Sequence, residues 1–371
     1  MSQPLVTVII PSYNHSDYVG YTIKSVLAQT LQDFELLIID DNSPDNSVEV
    51  IKKFDDSRIK LITLEKNLGI CKTSNFCFKK ANGKYLSIIA SDDIMFPKNL
   101  EKKVNFLEQN PQYGAVFSGV EVIDENNQIL FKKTKKFERV FTTETKKRSD
   151  WLNHFFYKGN CIAAPTSVAR TDCIKKIHGF NELISQAHDF DMWIKICLSG
   201  YEMFVLPEKL IQYRQKNNNR SLSSNTTEVR KRLIFDNEKI LENYLSIKNI
   251  EELIQIFPNL AIYREKISEE LIPFFIAQEA LKVSDYSHHQ FALSTLYNLL
   301  KSEDAQKKLE KDFDFTIKDF VELVTNNPLG VVMEEINQKP LQKFLSKKIA
   351  ELLNFRTIVH PSLQTTTPKN T

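Results

Sequence analysis

The first ninety or so residues carry a pattern that a parallel sheet covered on both faces satisfies and little else does. Residues 6–10 are a continuous run of β-branched side chains, apolar but for Thr7, and the largely apolar residues 34–39, 59–64 and 85–90 repeat the theme. Between these runs the apolar residues fall at helical spacing. Residues 17–27 place Val19, Ile23, Val26 and Leu27 on one face, and residues 46–54 and 70–81 read as two further helices. A strand that is apolar on both faces must be covered by helices on both sides. Strand–helix–strand units of this length close right-handedly into parallel sheets. In such sheets ligands bind beyond the carboxyl ends of the strands. The polar clusters after the first, second and fourth strands are therefore where chemistry is expected.

Further along the pattern loosens. Residues 113–122 form another apolar stretch, and Asp124-Glu125-Asn126-Asn127 reads as a hairpin turn. Residues 132–148, rich in Lys and Thr, read as a mobile connection, and residues 151–214 return to mixed helix and strand. A loop of Asn, Ser and charge spans 215–227. From 229 to 355, Leu, Ile and Phe recur every three or four residues among Lys and Glu, the texture of a helical domain. The expectation is an α/β domain at 1–224 and a helical domain at 225–371 that ends in a frayed tail.

Composition removes several classes. Lys+Arg 49 against Asp+Glu 47 leaves a net charge of +2, so no global field recruits nucleic acid. The 9 Gly include no pair two residues apart and none that precedes Lys in a phosphate loop, which excludes the dinucleotide fingerprint and the P-loop. The 5 Cys (71, 77, 161, 173 and 197) are odd in number and lack a C-x-x-C pair. That argues against a disulfide framework or a zinc finger and suits a reducing compartment. No apolar run approaches the ~18 residues of a membrane span, and no signal-peptide pattern precedes the first strand. The expected location is the cytoplasm.

Each polar cluster has a chemical and a plain reading. Tyr13, in Pro11-Ser12-Tyr13-Asn14, can stack on a base while its neighbours bond a ribose; otherwise the segment is a helix entry capped by Asn14 or Ser16. Asp40 and Asp41 can accept from a ribose hydroxyl or a base N–H, or serve as turn and cap residues. In Ser91-Asp92-Asp93, adjacent carboxylates at the end of a buried strand repel each other unless a cation neutralises them. Mg²⁺ or Mn²⁺ does so with one or two carboxylates and fills its other positions with phosphate oxygens and water. A cap for the helix near Pro97 would need only one Asp, so the pair favours metal and diphosphate. Asp189, in His188-Asp189-Phe190-Asp191-Met192-Trp193, opens a helix and reads either as its cap or as a general base. Trp151 and Trp193 read as packing residues, with acceptor stacking the other role for Trp151.

Taken together the clusters resemble a family. Val6-Thr-Val-Ile-Ile-Pro-Ser-Tyr-Asn14, Ser25-Val-Leu-Ala-Gln-Thr30, Phe34-Glu-Leu-Leu-Ile-Ile-Asp-Asp-Asn-Ser43, Asn67-Leu-Gly69 and Ala90-Ser-Asp-Asp93 appear in the order seen in inverting glycosyltransferase family 2 enzymes. His188-Asp-Phe-Asp-Met-Trp193 is similar to that family's Glu-Asp-x-Asp-x-Trp segment, and the resemblance runs from Val6 to about Ser223. It implies the GT-A fold, a mainly parallel nucleotide-binding sheet with helices on both faces, and a donor that is a nucleoside-diphosphate sugar, a UDP-sugar above all. By the same resemblance Pro11, Tyr13 and Asn14 meet the nucleotide, with Tyr13 at the base. Asp41 bonds the uracil with Asp40 beside it, Asp92 meets the ribose or donor sugar, Asp93 binds Mn²⁺ or Mg²⁺, and Asp189 is the base. The departures are Ser74 where the family has an Arg, with Lys72 the candidate substitute, and His188 in place of Glu. In Tyr213-Arg214-Gln215-Lys216, Lys216 stands where many members carry a His, leaving Lys216 or Arg220 to neutralise the phosphates directly.

The implied reaction is one displacement. A metal and a cation stabilise the departing diphosphate while Asp189 deprotonates an acceptor hydroxyl on the opposite face, so the anomeric configuration inverts. No second carboxylic acid is needed, unlike in a glycosidase, because the diphosphate leaves without protonation. The acceptor expected is a glycan or lipid-linked glycan of bacterial surface polysaccharide or glycoconjugate synthesis. Two other readings compete. A sugar nucleotidyltransferase would want a Gly-rich loop bearing Arg and Lys after the first strand, and a non-catalytic nucleotide-sugar-binding subunit would not need Asp92, Asp93 and Asp189 complete. Near the C-terminus, Leu341, Phe344, Leu345, Ile349, Leu352 and Leu353 form an apolar stripe flanked by Lys339, Lys343, Lys347 and Lys348. It reads as a helix docked on its own domain, or as a surface for the inner face of the membrane, a lipid-linked acceptor or another copy of the chain.

Overall fold

The structure is a computed structural model, and it describes residues 3–141, 144–216 and 226–326. Eight strands form one sheet: β1 Val6–Ser12, β2 Phe34–Asp40, β3 Ile59–Thr63, β4 Tyr85–Ile88, β5 Ile94–Met95, β6 Tyr113–Ile123, β7 Val168–Arg170 and β8 Glu202–Arg214. Their order is β3-β2-β1-β4-β7-β6-β8-β5. The first four in that row are parallel, β7 is antiparallel to both neighbours, β6 and β8 are parallel, and β5 closes the edge antiparallel. Every residue of β1 and β2 is buried, including Thr7 and Glu35, whose side chains bond each other at 2.7 Å. The helices of this region are α1 Val19–Leu27, α2 Ser47–Ile51, α3 Ile70–Lys80, α4 Asn99–Gln109, α5 Phe131–Val140, α6 Arg148–Lys158, α7 Thr171–Lys176 and α8 His188–Leu198.

Three local expectations change. Pro11 does not end the first strand but lies within β1, opposite Ile39 of β2. The ladder to β4 stops at Ile9 and Ile88, so no partner on that side needs the N–H that proline lacks. Past Asp124–Asn127 the chain makes only an isolated bridge, Ile123 to Ile129, rather than a second hairpin strand. Where a loose connection was expected, α5 forms, and buried Thr134 on it accepts from the Val122 N–H at 3.0 Å. The five cysteines are buried and unbridged, as small core residues.

Helices continue after the sheet: α9 Thr227–Leu241, α10 Ile250–Ile256, α11 Ile272–Leu281, α12 Tyr286–Leu299, α13 Glu303–Phe313 and α14 Ile317–Thr325. Sequence texture changes at residue 225, whereas compactness divides the chain at Ile272. The reason lies in α9, α10 and the turn between them, which are tied to the sheet unit. Tyr244, fully buried, donates from its hydroxyl to the Leu152 carbonyl at 2.7 Å, and Arg148 pairs with Glu252 at 2.5 Å. In the second unit Phe274 packs against Phe313 and Phe315, with centroids 5.6 and 5.2 Å away. Asp285, Ser302 and Thr316 cap α12, α13 and α14, the last with a full capping box to Asp319. His288 and His289 lie in the first turn of α12. The stripe at 341–353, Arg220 and the tail at 361–371 lie outside the described residues.

Candidate active site

Parallel strands β1, β2 and β4 end at one edge of the sheet, and their loops meet there. The helix α8 packs on the sheet through Trp193, whose ring stands edge-on to Phe117 of β6 at 4.7 Å, and then turns into β8. A helix that runs back along parallel strands has its N-terminus at the edge where they finish. Asp189, in the first turn of α8, therefore joins the loops after β1, β2 and β4 although the chain separates them widely.

The loop after β4 carries two adjacent carboxylates, Asp92 and Asp93. Asp93 is 1% exposed; its Oδ1 accepts from the Arg214 N–H at 2.9 Å, while its Oδ2 is buried with no hydrogen-bond partner. Burial first, and the neighbouring Asp92 second, push the Asp93 carboxyl well above the usual carboxylate range. Asp92 Oδ2 pairs with the Lys216 ammonium at 2.9 Å, and Lys216 Nζ also lies 2.7 Å from His15 Nε2. An ammonium only donates, so His15 Nε2 accepts and its Nδ1–H donates to Ser91 Oγ at 2.7 Å. His15 is thereby held neutral, in keeping with a pKa lowered chiefly by burial. Arg214 binds the Asp92 carbonyl through Nε at 2.8 Å and the 124–127 turn through its other nitrogens, and both cations lie over the Tyr18 ring. His15, Tyr18, Ser91 and Arg214 did not stand out in the sequence as site residues. The clue to His15 was its place directly after Pro11-Ser12-Tyr13-Asn14.

Two acids expected at the nucleotide hold loops instead of standing open. Asp40 accepts from the N–H and hydroxyl of Ser43 at 2.8 and 2.7 Å. Asp41, 4% exposed, accepts from the N–H groups of Leu68 and Gly69 at 2.7 and 2.9 Å. Gly69, at φ 82°, can adopt the left-handed backbone that turns its N–H toward Asp41 and starts α3. Tyr13 is 46% exposed, available to a flat ring, and Asn14 beside it sits at φ 55° with its N–H bonded to Ser43 Oγ. Pro11 is buried in β1. Lys72 is exposed on the first turn of α3, and Ser74, at the position of the family's Arg, is buried with its hydroxyl unpartnered.

Asp189 is half-buried. Its Oδ1 caps the Phe190 N–H at 2.8 Å, and its Oδ2 faces the Asn160 amide at 3.3 Å. Ile162 donates to Asn160 Oδ1 at 3.0 Å, which leaves the NH₂ side of Asn160 turned to Asp189. Burial raises the Asp189 pKa, opposed by His188 and by the hydrogen bonds. His188 packs edge-on against Phe180 with its centroid 4.9 Å away, and burial lowers its pKa while the nearby Asp189, Asp236 and Asp191 oppose that shift. Trp151 is wholly buried and donates to the Met203 carbonyl at 3.2 Å, which removes it as an acceptor platform.

This edge thus carries two separate chemistries. One is a carboxylate pair with fixed cations, suited to a phosphorylated group; the other is a lone carboxylate with a raised pKa, suited to taking a proton. No group of three or more His, Cys, Asp or Glu that could hold a metal is found among the described residues. A cation would therefore draw on Asp93, whose buried Oδ2 has no hydrogen-bond partner, and on oxygens of the ligand.

The family model described as Glycosyl transferase family 2 matches residues 7–168. An uncharacterized glycosyltransferase of Methanocaldococcus jannaschii is 35% identical over 228 residues, 60% of this chain and 75% of that protein. The putative teichuronic acid biosynthesis glycosyltransferase TuaG of Bacillus subtilis is 28% identical over 63% of this chain and 87% of its own length. WfgD of Escherichia coli, a UDP-Glc:alpha-D-GlcNAc-diphosphoundecaprenol beta-1,3-glucosyltransferase, is 36% identical over 34% of this chain and 50% of its own. Among solved structures, S. aureus TarS 1-349 in complex with UDP-GlcNAc shares the fold at a TM-score of 0.54 and 19% identity, over 82% of this chain and 83% of that one. With the GT-A sheet, the family match and these relatives in agreement, the chain belongs to glycosyltransferase family 2.

Proposed function

We propose that the chain transfers a sugar from a UDP-sugar to a hydroxyl of a glycan or lipid-linked glycan with inversion, in the building of a bacterial surface polysaccharide or glycoconjugate. The observation that carries this reading is the single half-buried carboxylate of Asp189, set apart from the Asp92, Asp93 and Lys216 cluster on the same sheet edge. One base and one anion site are what a single displacement on a nucleoside-diphosphate sugar requires. The raised pKa of Asp189 supports it as the group that takes the acceptor's proton, and Lys216 is a fixed positive charge for the departing diphosphate. Asp93, with Asp92 beside it, is proposed to hold Mn²⁺ or Mg²⁺, which when bound supplies Lewis-acid stabilisation to the phosphates. Tyr13 and Asn14 are assigned to the nucleoside, with Pro11, Asp40 and Asp41 shaping its floor and Lys72 at its rim. TarS in complex with UDP-GlcNAc and the UDP-glucose-dependent WfgD favour uridine as the donor's base. TuaG and WfgD favour a cell-surface polymer or its lipid-linked precursor as the acceptor.

The test is a panel of nucleotide sugars incubated with Mn²⁺ and without acceptor. Slow release of UDP, stopped by EDTA and by Asp93→Ala, is the expected result. Full activity in EDTA or in that variant refutes the metal assignment. Binding of UDP with no turnover of any donor gives the non-catalytic subunit instead. Once an acceptor is found, a product with retained anomeric configuration refutes the single displacement.

A further inference from the structure

The base does not stand on the sheet itself. It opens α8, and the loop that delivers the chain to α8, residues 181–187, comes off neither a strand nor a helix of the parallel half. What holds that loop therefore sets where Asp189 points. On one side α3 holds it: Asn75 exchanges two hydrogen bonds with the Phe180 backbone, both at 2.9 Å, and Cys71 Sγ meets the Ile184 carbonyl at 3.3 Å. On the other side stands Asp236 of α9, 1% exposed. One of its oxygens, Oδ2, accepts from three consecutive backbone N–H groups, those of Ser185, Gln186 and Ala187, at 3.1, 2.7 and 3.2 Å. Ala187 is the residue that caps α8, and its carbonyl accepts the first helical bond, from Asp191 at 3.1 Å.

Three successive N–H groups can converge on one atom only if the backbone curls around it, and an anion is the strongest acceptor for such a curl. The charge also sits at the positive end of α8, where it is favoured by the helix dipole. A second grip comes a little further on, where Asn243 donates to Asp191 Oδ1 at 2.8 Å. Asp191 is in turn paired with Lys195 at 2.6 Å. Both grips come from beyond residue 225, and Asp236 lies outside the stretch, 7–168, that the family model matches.

We propose that Asp236 is a positioning residue for the base: by gathering the N–H groups of 185–187 around its carboxylate it fixes the entry to α8 and hence the direction of the Asp189 side chain. Helix α9, which follows the sheet, is then part of the transferase machinery and not an appendage. The proposal rests on Asp189 being the base, and its test separates the two ideas.

Asp236→Ala removes the acceptor and Asp236→Asn keeps one neutral carbonyl oxygen in the same place. Hydrogen exchange in the full chain should show the amides of 185–187 losing protection in Asp236→Ala and largely keeping it in Asp236→Asn. Peptides from β1 and β2 should be unchanged in both. UDP affinity should stay within about twofold, while turnover of a UDP-sugar falls on the order of 10–100-fold in Asp236→Ala and less in Asp236→Asn. In an Asp189→Asn background, Asp236→Ala should add no further loss, because a residue that acts only through another has nothing left to act on. Unchanged protection at 185–187 overturns the proposal, as do lost UDP binding or losses that multiply in the double variant. If Asp236→Ala does not fold, the same readings are taken from Asp236→Asn, where normal turnover with loosened 185–187 amides is equally fatal. Should Asp189→Asn itself leave turnover intact, the reading of the base has failed; the exchange data then report on the loop alone, and a positioning role for this base is refuted with it.

Discussion

Replacing Asp189 by Asn is the sharpest perturbation of the proposed chemistry, because it removes a proton acceptor and almost nothing else. The side chain makes two contacts, to the Phe190 N–H at 2.8 Å and to the Asn160 amide at 3.3 Å. An Asn carbonyl oxygen keeps the first. The second becomes a confrontation of two NH₂ groups and is lost, at roughly 0.5–1.5 kcal/mol. Against that stands the release of a buried charge. The folded-state pKa of Asp189 is raised, so the folded protein binds the proton more tightly than the unfolded chain does. Its contribution to stability is then present at low pH and is lost as pH climbs from the unfolded value through the raised one. At neutral pH the wild-type carboxylate is a liability, and Asp189→Asn should melt within a few degrees of wild type. Turnover should fall by ~10²–10⁴, equivalent to roughly 3–5 kcal/mol of transition-state stabilisation. UDP affinity should not move, since none of the groups on Asp92, Asp93 or Lys216 touches Asp189. The wild type should also lose kcat/KM as pH falls through a limb displaced upward from the ordinary carboxylate range, and the variant should lack that limb. UDP release over a pH series, with calorimetric melting of both proteins, measures all of this. A variant within tenfold of wild type, or one that unfolds, would mean that Asp189 is a helix cap and that the proton goes elsewhere.

Two further outcomes test the rest of the site. Lys216→Met should weaken UDP by about 10–100-fold, the equivalent of one charge-assisted hydrogen bond, while leaving uridine, which lacks phosphates, bound as before; titration calorimetry of the two ligands decides, and equal losses for both would remove Lys216 from the diphosphate. Arg214→Ala removes a cation that is 5% exposed together with its three hydrogen bonds, to the Asp92 and Asp124 carbonyls and to Asn127 Oδ1, and should cost roughly 2–5 kcal/mol in urea unfolding because those acceptors lose a charged donor; a loss below about 1 kcal/mol would show that the strand-end loops hold their shape without it.

Much of this protein was legible in its sequence because the information is local. The runs that became β1, β2 and β4 are mostly apolar on both faces, and the segments between them have helical spacing, so a parallel covered sheet follows without knowledge of any contact. The rule that ligands gather at strand ends then singles out Tyr13, Asp40, Asp41, Asp92 and Asp93. Where local signals conflict, tertiary context prevailed. Pro11 extends β1 because the neighbouring ladder has already ended, and a Lys- and Thr-rich stretch forms α5 because Thr134 meets the edge of β6.

What each polar group does was decided only in the folded chain. Asp40 and Asp41 look alike beside Asp92 and Asp93 in the sequence, yet the first two are consumed by N–H groups of nearby loops while Asp93 keeps an oxygen without a partner. The His15–Lys216 contact joins residues 201 positions apart, and Asp236 reaches back about fifty residues to the entry of α8. Hydrophobic periodicity records which face of an element is buried. It holds no record of which distant carboxylate a backbone N–H will meet, because that pairing depends on where the finished sheet and helices bring the two ends together.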